Sequence, residues 1–109
     1  MPIPVEVVFR HAPKSELLER EIRERVDRLA QRHSRLHSCR VVLDQVPAHS
    51  AHPHCFEVGI GLRVPGNELE AHARSERAGQ AASLSGAVHA AFEAANRRLA
   101  DHSSRRRAH

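Results

Sequence analysis

Four arginines, Arg25, Arg28, Arg32 and Arg35, recur at three- and four-residue steps. Projected on a helix at about 100° per residue, they fall within roughly one quadrant. A guanidinium is permanently charged and presents a planar fork that pairs with phosphate oxygens, so such a strip can follow a nucleic-acid backbone. A second set, Arg97, Arg98, Arg105 and Arg106, stands near the end of the chain, and folding could join the two into one cationic ridge. The plainer reading is a solvated helix face laced with Glu–Arg pairs at i,i+4, such as Glu21 with Arg25 and Glu24 with Arg28. Ten histidines raise a second chemistry, because His49, His52, His54 and Cys55 stand close together. Imidazole and thiolate suit zinc, nickel or copper, but the H-x2-H-x-H-C spacing lacks a second ligand pair. Cys39 and Cys55 sit in strand patterns, where small buried thiols are the commoner finding. There is no glycine-rich phosphate loop, G-x-S-x-G elbow or H-E-x-x-H pair. The residues therefore predict no catalytic group, no metal and no cofactor.

Composition narrows the choice. The 109 residues suffice for one compact domain. Lys and Arg number 17 against 13 Asp and Glu, a net charge of +4, and all the cations but Lys14 are arginine. The charge is segregated: residues 10–40 and 71–109 carry +4 each, whereas residues 41–70 carry −3. Three Phe with no Tyr or Trp leave almost no rings on which single-stranded bases could stack. No apolar run approaches the roughly 20 residues of a membrane helix, and the N-terminus lacks the pattern of a secretory signal. Reduced thiols and a cytoplasmic location follow as expectations.

Periodicity supplies the elements that must position these groups. Ile3 to Phe9 alternates as a strand with one buried face, and Pro4 marks an edge or a strand end. Ser15 caps a helix running to about His33, with Glu16 and Glu19 in its first turn and Leu18, Ile22, Val26, Leu29 and His33 as its apolar stripe. Ser38–Asp44 and His54–Val64 read as strands, Pro65-Gly66-Asn67 as a turn, and Leu69, Ala71 and Ala73 as a fourth strand. Residues 74–82 read as a loop. From about Ser83, Leu84, Val88, Ala91, Phe92, Ala95 and Leu99 restore the helical period. The order β-α-β-β-β-α predicts an α+β domain over residues 1–102, a four-stranded mixed sheet with both helices on one face. Residues 103–109 are expected to be a disordered basic tail.

Several of these segments resemble the ribosome hibernation-promoting factors, a family that includes the RaiA-type, or sigma-54 modulation, proteins. They are Ile3-Pro4-Val5-Glu6-Val7-Val8-Phe9-Arg10, the helix holding Leu18, Ile22 and Leu29, the strand Ser38–Leu43, the stretch from Phe56 to Leu69, and Ala87–Leu99. The resemblance implies a non-enzymatic domain that binds the small ribosomal subunit and its ribosomal RNA, occluding the channel for messenger and transfer RNA. It places Arg25, Arg28, Arg32 and Arg35 of the first helix, with Arg97, Arg98 and Arg105, against that RNA; Arg106 extends the second set. No membrane, no small-molecule substrate and at most weak self-association are expected. The chain departs from the family at Ala94 and Asp101, where bases are usual, and at Ser83-Leu84-Ser85. It reaches His109 without the separate dimerisation domain of long members, as either a short form or one domain of something longer, and ribosome dimerisation driven by this chain alone is not expected. Two alternatives stay open: a double-stranded-RNA-binding module without ribosomal activity, and a metal-binding protein using the His-rich hairpin.

Overall fold

A computed structural model describes residues 3–47, 54–74 and 81–107. Its elements, in chain order, are β1 (Val5–Arg10), α1 (Glu16–Arg32), β2 (Ser38–Pro47), β3 (His54–Val64), β4 (Asn67–Arg74) and α2 (Ala81–Arg107). The strands form one sheet in the order β1-β2-β3-β4, with β1 parallel to β2 and the other neighbours antiparallel. The α+β architecture expected from the residue pattern is the one observed.

Register explains why one face of the sheet is dry. Val7, Val41, Ile60 and Ala71 stand in one cross-strand row, flanked by the rows Val5–Cys39–Leu62–Leu69 and Phe9–Leu43–Val58–Ala73. All of them point toward the helices, and Val41, Leu43, Val58, Ile60 and Leu62 are essentially buried. α1 adds Ile22, Val26 and Leu29 to this core, and α2 adds Val88, Ala91, Phe92, Ala95 and Leu99. Each large side chain so buried contributes about 1.5–3 kcal/mol. The small residues of β4 (Ala71, Ala73) meet those of α2 (Ala87, Ala91, Ala95), which lets helix and sheet approach closely.

The connections have local causes. Ser15 Oγ accepts from the Leu18 N–H at 3.2 Å, and Glu16 and Glu19 favour the positive end of the α1 dipole. At the other end the His33 N–H donates to the Leu29 carbonyl, and the His37 N–H donates to the Arg63 carbonyl at 2.8 Å, tying the exit of α1 to β3. Pro65-Gly66 turns β3 into β4 with Gly66 at φ 73°, the left-handed position that glycine takes without a Cβ penalty.

Three expectations need correction. β2 runs on to Pro47 rather than ending near Asp44, continuing its pairing with β3 up to Pro47 opposite His54. α2 begins at Ala81, earlier than the apolar period indicates. It also continues through Arg107, where a disordered tail was expected from residue 103. The Asp101–Arg105 pair at i,i+4 (3.2 Å) supports this last stretch, and Ser103 is half-buried against the body of the protein.

Candidate nucleic-acid interface

The arginines of α1 arise from a stripe that runs beside its apolar one. Ile22, Val26 and Leu29 face the sheet, so Arg25, Arg28 and Arg32 come to the flank that looks across to α2. There they line a groove of about 410 Å³ whose far wall is His89, Phe92, Glu93 and Asn96 of α2. Arg25 is the half-buried member. Its Nη2 reaches Glu21 at 3.5 Å, its Cζ lies 6.0 Å from the Phe92 ring centre, and its Nε is buried without a hydrogen-bond partner. Arg28 and Arg32 are exposed, and so is Arg35, which stands in the turn after α1. Among the described residues none of these three makes an ion pair, and the Glu24–Arg28 pair permitted by spacing does not form. Glu93, the one carboxylate of the groove, is engaged by His89 at 2.7 Å and by Arg97 at 4.0 Å.

Deeper between the helices, His33 Nε2 donates to Asn96 Oδ1 at 2.7 Å, joining the exit of α1 to the middle of α2. His33 thus stands on the α1 stripe as a half-buried packing residue with its ring oriented by Asn96. The composition of the groove wall on α2 was not foreseen from the sequence. Asn96 follows Phe92 by one turn, so a polar residue on the edge of an apolar stripe was the available signal.

The second arginine set goes elsewhere. Asn96 faces α1, and Arg98, about 200° further round the helix, faces away from it. Arg97 and Arg98 share a cleft with Glu70 and His72 of β4 and with Asp101. Arg97 is paired with Glu93 and Arg105 with Asp101, while Arg98 is exposed and makes no ion pair among the described residues. The side chain of Arg106 lies outside the described residues. One continuous ridge across both helices is therefore not what folding produces. The α1 arginines come together, whereas Arg98 stands on the β4 flank of α2 and Arg97 stands between that flank and Glu93 of the groove.

The open face of the sheet is electrostatically different again. Arg40 pairs with Glu6, Arg63 with Glu68 and Arg74 with Glu57, each joining residues directly opposite across a strand pair. Hydrogen bonding to Glu57, then its charge, holds the Arg74 guanidinium above its ordinary pKa. His11, in the left-handed region at φ 56°, places Nδ1 3.1 Å from Asp44.

Of the candidate metal ligands, His49 and His52 lie outside the described residues, as does the side chain of His54. Cys55 is buried, and no group of three or more ligating side chains occurs among the described residues. Cys39 is buried beneath the helices, and desolvation pushes its thiol up to about 12, which makes it a poor nucleophile. Among the described residues no helix is long and apolar enough to cross a membrane.

The fold is shared with solved structures. A ribosomal subunit interface protein from Coxiella burnetii superposes with a TM-score of 0.74 at 11% identity, over 94% of this chain and 99% of that one. The N-terminal domain of Thermus thermophilus Protein Y superposes with a TM-score of 0.65 at 17% identity, over 91% and 96%. No curated protein matches the sequence. The family model described as sigma 54 modulation protein / S30EA ribosomal protein matches residues 5–107, nearly the whole of the described fold. The chain belongs to that family, the ribosome hibernation-promoting factors that its strands and helices resemble.

Proposed function

We propose that the protein docks on the small ribosomal subunit through the helix side of its sheet and excludes messenger and transfer RNA by volume, performing no chemistry. Arg28, Arg32 and Arg35, with Arg25 held behind them, contact the phosphates of one ribosomal RNA segment. Arg97 and Arg98, beside β4, form a separate contact, to which Arg105 and Arg106 add charge from the end of α2. The observation that carries this reading is that, among the described residues, Arg28, Arg32 and Arg35 make no ion pair, in a member of this family. Unpaired guanidinium groups are already free to meet phosphate, whereas a paired one must first give up its carboxylate.

The test is co-sedimentation with purified small subunits, followed by competition. Binding at low salt, and loss of transfer RNA from subunits programmed with messenger RNA as the protein is added, is the expected result. Failure to bind at low salt would remove the ribosomal reading. Binding without displacement of transfer RNA would remove occlusion and leave attachment alone.

A further inference from the structure

The end of α2 overhangs the sheet and changes chemistry as it does so. Ala91, Phe92, Ala95 and Leu99 form its core-facing stripe, and the next positions in that period are His102 and Ser103. Both are half-buried, polar where the preceding turns of the stripe are apolar. They cover a pocket of about 610 Å³ between the last turns of α2 and the exit of α1, floored by Leu36, Val64 and Leu99. Into it come Arg32 and Arg35 from one side and Ser103 and Ser104 from the other. Among the described residues no carboxylate lines it. His102 Nε2 is buried and has no hydrogen-bond partner, an unmet donor or acceptor in a site already rich in charge and hydroxyls.

We infer that this pocket binds a terminal phosphate, that is, a dianionic phosphate monoester. Two guanidinium groups that make no ion pair among the described residues match two negative charges, and imidazole and hydroxyl groups supply directional hydrogen bonds to the remaining oxygens. The apolar floor closes the sheet side, so a ligand enters end-on; a terminal group can do that more readily than a backbone running past. The α1 dipole presents its negative end nearby, but its partial charge is smaller than the two full charges of Arg32 and Arg35. The volume accommodates the phosphate with the sugar that carries it. The inference rests on the ribosomal reading only in sharing Arg32 and Arg35 with it, and the source of the phosphate is either a free nucleotide or the 5′ end of an RNA.

The experiment needs no ribosome, so its failure is separate from failure of that reading. Backbone amide spectra of the full chain are recorded at fixed ionic strength during titration with adenosine 5′-monophosphate. Adenosine, a 5′-phosphorylated tetraribonucleotide and its 5′-hydroxyl counterpart are titrated in parallel. The monophosphate is expected to shift the amides of Ser34, Arg35, His102, Ser103 and Ser104 saturably, and adenosine to leave them in place. A tetranucleotide that needs its 5′-phosphate to move these amides, and does so at lower concentration than the monophosphate, identifies an RNA end as the source. The reverse order identifies a free nucleotide. Arg35→Gln should weaken monophosphate binding roughly tenfold. His102→Leu should weaken it as well without lowering the melting temperature, because it removes an unpartnered buried polar atom. Equal shifts by adenosine, equal binding of the 5′-hydroxyl tetranucleotide, or unchanged affinity in Arg35→Gln would overturn the inference.

Discussion

On the open face of the sheet Arg40, Arg63 and Arg74 each meet a carboxylate; on the helix side Arg28, Arg32 and Arg35 meet none among the described residues. The difference follows from two periodicities. Strand register sets residues side by side, and in this sheet it sets Glu6 against Arg40, Arg63 against Glu68 and Glu57 against Arg74. Helical spacing of three and four sets Arg25, Arg28 and Arg32 next to one another, like beside like. Net charge is therefore a poor guide to where this molecule holds an anion. What counts is whether each cation has its partner within the fold.

Reversing charge on each face separately is the strongest way to break this contrast. The triple change Arg28→Glu, Arg32→Glu, Arg35→Glu should weaken small-subunit binding at least about a hundredfold, from roughly 1 kcal/mol or more per lost phosphate contact. The triple change Arg40→Glu, Arg63→Glu, Arg74→Glu should alter it by less than about threefold, since those groups are already neutralised within the sheet. Co-sedimentation at fixed salt measures both; equal losses would show that the pairing pattern is irrelevant.

A second effect separates the buried side of the sheet from its open side through pH. Burial raises the Cys39 thiol to about 12 from an ordinary 9.0. Between these values the unfolded chain loses a proton that the folded protein keeps, so stability present below about pH 9 falls as pH rises toward 12. The slope approaches about 1.4 kcal/mol per pH unit for one such group. Cys39→Ala should flatten this alkaline decline in urea-denaturation midpoints; an unchanged decline would mean that Cys39 does not drive it.

The smallest effect sharpens the comparison within α1. Arg28 and Arg32 are like charges at i,i+4, which costs a few tenths of a kcal/mol. Arg28→Glu turns Arg25 and Arg32 into attractive neighbours but sets a like charge four residues after Glu24, so stability should rise by no more than about 0.5 kcal/mol while subunit binding weakens. Thermal melts and sedimentation of the same variant check the two signs, and a variant that loses both would indicate a structural role for Arg28.

Much of this architecture was legible from the residues. Alternation in Val5–Phe9 and Phe56–Val64 is strict because one side of each strand is buried, and the Ser15 cap with Glu16 and Glu19 marks the start of α1 unambiguously. The limits of α2 were not. Its first turn carries no acid to signal a beginning, and its apolar stripe stops at Leu99 although the helix continues eight residues further, to Arg107. Arg25, Arg28, Arg32, Arg97, Arg98 and Arg105 are legible as helix residues, whereas Arg35 falls in the turn after α1, and the relation between the helices is hidden. Spacing fixes the angle of Arg98 on α2, whereas the Asn96–His33 contact, with Phe92 beside Arg25, reveals which flank of α2 faces α1. The same contact would have separated the two sets, because Asn96 and Arg98 are too close in sequence to share a side.

The salt dependence of small-subunit binding tests the assignment of the grip to α1 most directly. Each phosphate contact contributes roughly 0.7–0.9 to the slope of log affinity against log salt, so Arg28, Arg32 and Arg35 together account for about 2 to 3 of it. Replacing all three by alanine should flatten the slope by that amount, and replacing Arg40, Arg63 and Arg74 by alanine should leave it where it was. An unchanged slope in the α1 variant, or an equal flattening in the sheet variant, would contradict the account.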